Sequence, residues 1–176
     1  MNHIIKRALG VVNFNARLEP ENLSSAVDAE GKGLVPDGVT TQTYRNGKPL
    51  IWDFTCHDTL AHTYVNTYKW SSREAGRVAM EAEKDKVDKY ISMSNDFYMV
   101  PICVETLGVW GPAGYKFIKE LGRMTCKKTK EKRSSSFIMQ SISMEVQRNN
   151  VACITATVDS PKLLNELFEL FHVNED

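Results

Sequence analysis

The sequence predicts an α/β fold: a small mixed β-sheet with an N-terminal β-hairpin, flanked by helices. Three observations predict it. Asn46-Gly47 stands between two strand-like runs, and both positions tolerate the positive φ of a two-residue hairpin turn. Leu50-Ile51-Trp52 is a continuous apolar run, as in a strand covered on both faces. Elsewhere apolar residues recur at helical spacing.

Each element has a local reason. Residues 2–14 carry Ile4, Ile5, Ala8, Leu9 and Val12 at helical spacing and read as an amphipathic helix. Residues 21–35 are rich in Ser, Gly and charge and read as a loop. The hairpin strands are 38–44 and 49–56. Residues 57–70 read as irregular. Ser71 and Glu74 have capping-box spacing, which starts a helix running to about Tyr90. Residues 97–104 read as a third strand, and Pro101 inside it argues for an edge or a bulge. Gly111-Pro112 opens the next helix, with Tyr115, Ile118, Leu121 and Met124 as its stripe. Residues 135–150 and 160–171 read as two further helices.

Composition removes several function classes. The chain has 176 residues, and 22 Lys and Arg balance 22 Asp and Glu, which argues against histone-like nucleic-acid binding. The charge is nevertheless polarised, with a basic stretch from Lys116 to Arg133 and an acidic one after Asp159. Cys56, Cys103, Cys126 and Cys153 include no CxxC pair, so a structural zinc site is not expected. The N-terminal stretch does not read as a signal peptide, and no apolar run is long enough to span a membrane. The expected compartment is reducing, nuclear or cytoplasmic. His3, His57, His62 and His172 have no metal spacing, and neither a GxSxG elbow nor a phosphate loop occurs.

Two carboxylates near the hairpin are the first candidates for chemistry. Asp37 precedes the first strand, and Asp53 stands between Trp52 and Phe54 in the covered one. A carboxylate there is costly unless compensated. A Mg²⁺ ion is one compensation; a hydrogen bond to a strand end is the plainer one. A regular two-residue turn places Asp53 opposite Thr40 and leaves Asp37 on the other face. A bulge or a longer turn would restore one face and bring the acids to within about 7–8 Å. The third group is a lysine. The stripe Ala75, Val78, Ala79, Ala82 continues to Lys86 and then Lys89, which either face the sheet or fan into solvent.

These residues fall in an ordered series: His3 to Arg7, Leu18-Glu19-Pro20, Pro36-Asp37-Gly38, Gly47 to Thr55, Lys86-Val87-Asp88-Lys89-Tyr90, Pro101 to Gly108, and Gln147 to Asn150. The series resembles the restriction-like, PD-(D/E)xK-type endonuclease segment that follows the reverse transcriptase in non-LTR-type retroelement polyproteins. The resemblance covers about residues 2–157, leaving 158–176 as an acidic helical tail.

It implies a restriction-endonuclease-like sheet and a DNA endonuclease hydrolysing phosphodiesters with Mg²⁺ or Mn²⁺. Asp37 and Asp53 would hold the metal, with Glu19 as an accessory acid. Lys86 or Lys89 would replace the lysine that usually follows the second acid, a position held here by Thr55. Val35 stands where related segments have Arg or Lys. His3 would face phosphate, and Glu105 would be catalytic or structural. Lys127, Lys128 and Lys130 are nucleic-acid candidates from charge alone. DNA and the reverse-transcriptase machinery of the parent element are the expected partners. The alternative expectation is an inactive nuclease-fold remnant that binds nucleic acid or protein.

Overall fold

The computed structural model describes residues 1–21, 23, 26–27, 31–68 and 74–157. The elements are α1 (Asn2–Val11), β1 (Ala16–Leu18), β2 (Gly38–Arg45), β3 (Lys48–His57), α2 (Arg77–Lys89), β4 (Tyr98–Glu105), α3 (Pro112–Thr129) and α4 (Ser134–Thr157). The sheet order is β1-β2-β3-β4. β1, β2 and β3 pair antiparallel, and β4 pairs parallel to β3. The predicted mixed sheet flanked by helices is therefore the observed one. The helix expected at 160–171 and the acidic tail lie outside the described residues. Among the described residues no helix is long and apolar enough to cross a membrane.

The sheet is covered on both faces, and strand alternation decides which residue goes where. Leu50, Trp52, Val100 and Ile102 pack with Ile5 and Leu9 of α1, Phe117, Ile118 and Leu121 of α3, and Ile138 and Ile142 of α4. The opposite face carries Val39, Ile51 and Cys103 against Tyr90, Met93 and the Ala79–Ala82 stripe of α2. Val78, Ala79 and Ala82 of the expected stripe thus form the buried face of α2, whereas Ala75 stands in the turn before the helix and is exposed. By alternation from Ile51, Asp53 points to the α2 side.

The hairpin turn forms as expected, with Asn46 at φ 53° and Gly47 at φ 74°. The strands beyond it do not keep register. Arg45 pairs with Lys48, Thr43 with Pro49, Val39 with Ile51 and Gly38 with Trp52. β2 therefore absorbs three residues more than β3 between the turn and Trp52. Thr40 repairs the ladder where the slip leaves a gap: its Oγ1 accepts the Leu50 amide at 2.9 Å and donates to the Gln42 carbonyl at 2.8 Å.

Other departures have physical causes. α1 stops at Val11, and Asn13 then takes a left-handed φ of 68°. β1 spans three residues, too few to produce an alternating pattern. α2 begins at Arg77 after Gly76 in a left-handed φ of 82°, five residues later than a cap at Ser71 would start it. Ser71 lies outside the described residues, and the cap comes from elsewhere: Oε1 of Glu105 accepts the Ala79 amide at 3.2 Å. Glu83 does the same for α3, its carboxylate accepting the Ala113 and Gly114 amides at 2.8 Å each. Two buried carboxylates thus sit at helix N-termini, where orphan amides and the helix dipole favour negative charge. Burial still raises the Glu83 carboxyl above its usual range, against the pull of the amides it accepts.

β4 is an edge strand, as Pro101 predicts. Proline has no amide to leave unpaired there. Two positions on, the Cys103 carbonyl accepts the Gly111 amide, and the Cys103 amide lies 3.5 Å from Glu83 Oε1.

Candidate functional site

The register slip builds the site. One step beyond the Gly38–Trp52 pair, Asp37 comes level with Asp53. The irregularity that the sequence required for a shared site is present, and it is three residues in size.

Asp53 is 5% exposed and fully engaged. Lys86 Nζ lies 2.6 Å from its Oδ1, and the Tyr90 hydroxyl donates to its Oδ2 at 2.7 Å, with the Val35 carbonyl at 3.0 Å as a second acceptor. Tyr90 is itself buried, and its position next to two acids drives its phenol further up the alkaline range, burial being the larger cause. It stays protonated and pins the carboxylate. Lys86 reaches in from the third turn of α2, where the buried stripe aims it at the sheet.

Asp37 is held at the strand entrance. Its Oδ2 accepts the Phe54 amide at 2.7 Å. Burial raises its carboxyl above the usual range, and the Asp53 charge adds to this. The Phe54 amide, the Asn2 side chain and Lys86 pull it back. A carboxylate raised by burial and a like charge is what two acids sharing one site produce. Asn2 belongs to α1, and its Oδ1 also faces Trp52 Nε1 at 3.4 Å. The first turn of α1 therefore closes the site on the side away from Lys86.

The remaining sequence candidates divide. Glu19 donates its backbone amide to the Asp37 carbonyl at 3.0 Å and holds a left-handed φ of 46°, with its side chain exposed. It borders the acid pair without touching it. Lys89 is exposed and lies over the Tyr90 ring, 5.2 Å from the centroid, so Lys86 is the lysine that converges. Glu105 is a helix cap. His3 is exposed on α1 beside Asn2, in a groove shared with Arg7, Met144 and Arg148. Lys127, Lys128 and Lys130 are exposed at the end of α3, which packs on the face of the sheet opposite Asp53. They do not join the carboxylates.

Sequence reading missed the partners that fix the acids. Asn2 gave no signal. Tyr90 had one: it closes the buried stripe of α2 four residues after Lys86. Beside the site, His57 follows Asp53 on the same face of β3, and its Nδ1 lies 2.8 Å from the Tyr64 hydroxyl. Burial lowers its pKa, and Lys86 acts in the same direction.

The donor set offers a hard cation two carboxylates. Among the described residues no group of three or more His, Cys, Asp or Glu is arranged to hold a metal. Mg²⁺ keeps most of its waters and needs only one or two carboxylates, and each carboxylate oxygen has a lone pair beyond its hydrogen bond. Asp37 and Asp53 therefore fit such an ion in donor type and number. Compared with known protein families and with curated proteins, the chain matches none.

Proposed function

We propose that the chain is a metal-dependent DNA endonuclease domain of the restriction-like type, acting at Asp37, Asp53 and Lys86. The observation that supports this most is the convergence of two acids and one lysine from three separate segments, made possible by the slipped hairpin. A structural ion pair needs only Asp53 and Lys86; it gives no reason to bring a second, half-buried carboxylate alongside.

Asp37 and Asp53 would hold a Mg²⁺ or Mn²⁺ ion, which supplies an activated water and polarises the scissile phosphate when bound. The residues of the chain have separate tasks. Lys86 offsets the charge of the acid pair and places an ammonium where negative charge grows on the phosphate. Tyr90 and the Phe54 amide fix the two carboxylates before substrate arrives. Asn2 orders Asp37 from the other side.

A second reading has its own support. Lys86 already neutralises Asp53 at 2.6 Å, which is how a buried pair is satisfied without any metal. On that reading the chain is an inactive nuclease fold that binds nucleic acid or a protein partner, including the machinery of a parent retroelement. Plasmid nicking with Mg²⁺ or Mn²⁺ separates the two. Nicking by the wild type that disappears in Asp53→Asn and Asp37→Asn supports the endonuclease. Folded wild-type protein that binds DNA without nicking it supports the inactive fold.

A further inference from the structure

We infer that the solvent face of α3 is a nucleic-acid contact separate from the acid pair, a strip that follows the phosphates of a single strand and stacks one of its bases. Lys116, Lys119, Arg123 and Lys127 recur at steps of three, four and four residues along α3. At about 1.5 Å per residue they form a line of roughly 16 Å. The line lies opposite Phe117, Ile118 and Leu121, the residues that bury α3 against the sheet. Among the described residues none of the four makes an ion pair. The acids nearest to them are already neutralised: Glu120 binds Arg45 Nη2 at 2.7 Å, and Glu131 binds Arg133 Nε at 3.2 Å. The net charge of zero therefore hides a uniformly positive strip.

An aromatic ring stands at the head of this strip. Tyr115 is 43% exposed, and the Lys119 ammonium lies 5.6 Å from its ring centroid. A row of cations beside an exposed ring is the arrangement that binds single strands: cations track the backbone and the ring stacks a base. Lys128 in the last turn of α3, and Lys130 and Lys132 beyond it, prolong the positive charge. A merely solvated helix face gives no reason for the acids to be paired away while four cations have no ion pair. The assignment does not depend on catalysis, because α3 and Asp53 are on opposite sides of the sheet.

Fluorescence anisotropy with a labelled oligodeoxythymidine across a salt series tests it. Each phosphate contact contributes about 0.7 to the log–log salt slope for a single strand. The variant with Lys116, Lys119, Arg123 and Lys127 all replaced by Gln is expected to lower the slope by about 3. Tyr115→Ala is expected to weaken binding about tenfold with the slope unchanged. The titrations are run in EDTA, without divalent metal, so binding to the strip is read independently of nicking at the acid pair. The inference is overturned if the fourfold variant keeps the wild-type slope while its circular dichroism is native. It is equally overturned if the protein binds phosphatidylserine vesicles and not the oligonucleotide. All five positions are at the surface, and Lys→Arg at each of the three lysines should restore the slope.

Discussion

Replacing Gly38 by alanine probes the contact on which the hairpin register and the acid pair both depend. A Cβ at Gly38 would stand 2.1 Å from Trp52 Cζ2, 2.3 Å from Cη2 and 2.6 Å from Cε2, where ordinary contact begins at 3.4 Å. The ring cannot withdraw. Trp52 is fully buried, and its Nε1 faces Asn2. The backbone must therefore yield, and it yields at the pair that sets Asp37 level with Asp53. Overpacking of a filled core costs about 1–3 kcal/mol, and the depth of this overlap puts Gly38→Ala near about 3 kcal/mol. Urea unfolding of a double-mutant cycle with Trp52→Leu isolates the clash. The leucine lacks the three ring atoms concerned, so alanine at position 38 should cost under about 1 kcal/mol in that background. A cost below about 0.5 kcal/mol in the wild type, or simple additivity of the two changes, would refute the reasoning.

Four further outcomes are expected. Lys86→Met leaves Asp53 buried without its cation and should cost about 3 kcal/mol; Asp53→Asn added to it should restore most of that stability in urea unfolding. Lys89→Ala, by contrast, should change both nicking and stability little. Glu83→Ala strips the cap from α3 and should cost roughly 2–4 kcal/mol, read from the thermal midpoint. Stability should also respond to His57. Its lowered pKa disfavours the imidazolium in the fold, so its contribution is present above the ordinary value of 6.5 and lost as the pH falls through the folded value. The thermal midpoint should therefore drop on acidification in the wild type, and His57→Gln should flatten that drop.

What could be read from the sequence was what short-range rules encode. The Asn46-Gly47 turn, the covered strand around Trp52, the proline of an edge strand and the buried stripe of α2 are all local signals, and each is found in place. The site was legible in part for the same reason: helical spacing aims Lys86 at the sheet. The rest was decided at a distance. Glu105 caps α2 from 26 residues away, and Glu83 caps α3 from about 30, so no local cap motif marks either helix start. Lys89 fits the stripe as well as Tyr90 does, and only packing against Met93 and Ile51 decides that the ring goes inward. The size of the register slip follows from where Trp52 finds space above a glycine, which is a property of two strands together.

The slip also has a consequence for how the chain tolerates change in length. Because Asp37 and Asp53 meet only after three surplus residues have been taken up, the distance along the chain between them acts as a counting device. One residue deleted between Gly38 and Asn46 would send Asp37 across to the other side of the sheet, whatever its neighbours are. Two deleted would restore the side but move the acid along the strand. Most single substitutions in the stretch Thr41 to Thr43, whose side chains are exposed, should leave the meeting point unchanged. Among natural variants of such a chain, this segment should therefore be free in spelling and fixed in count.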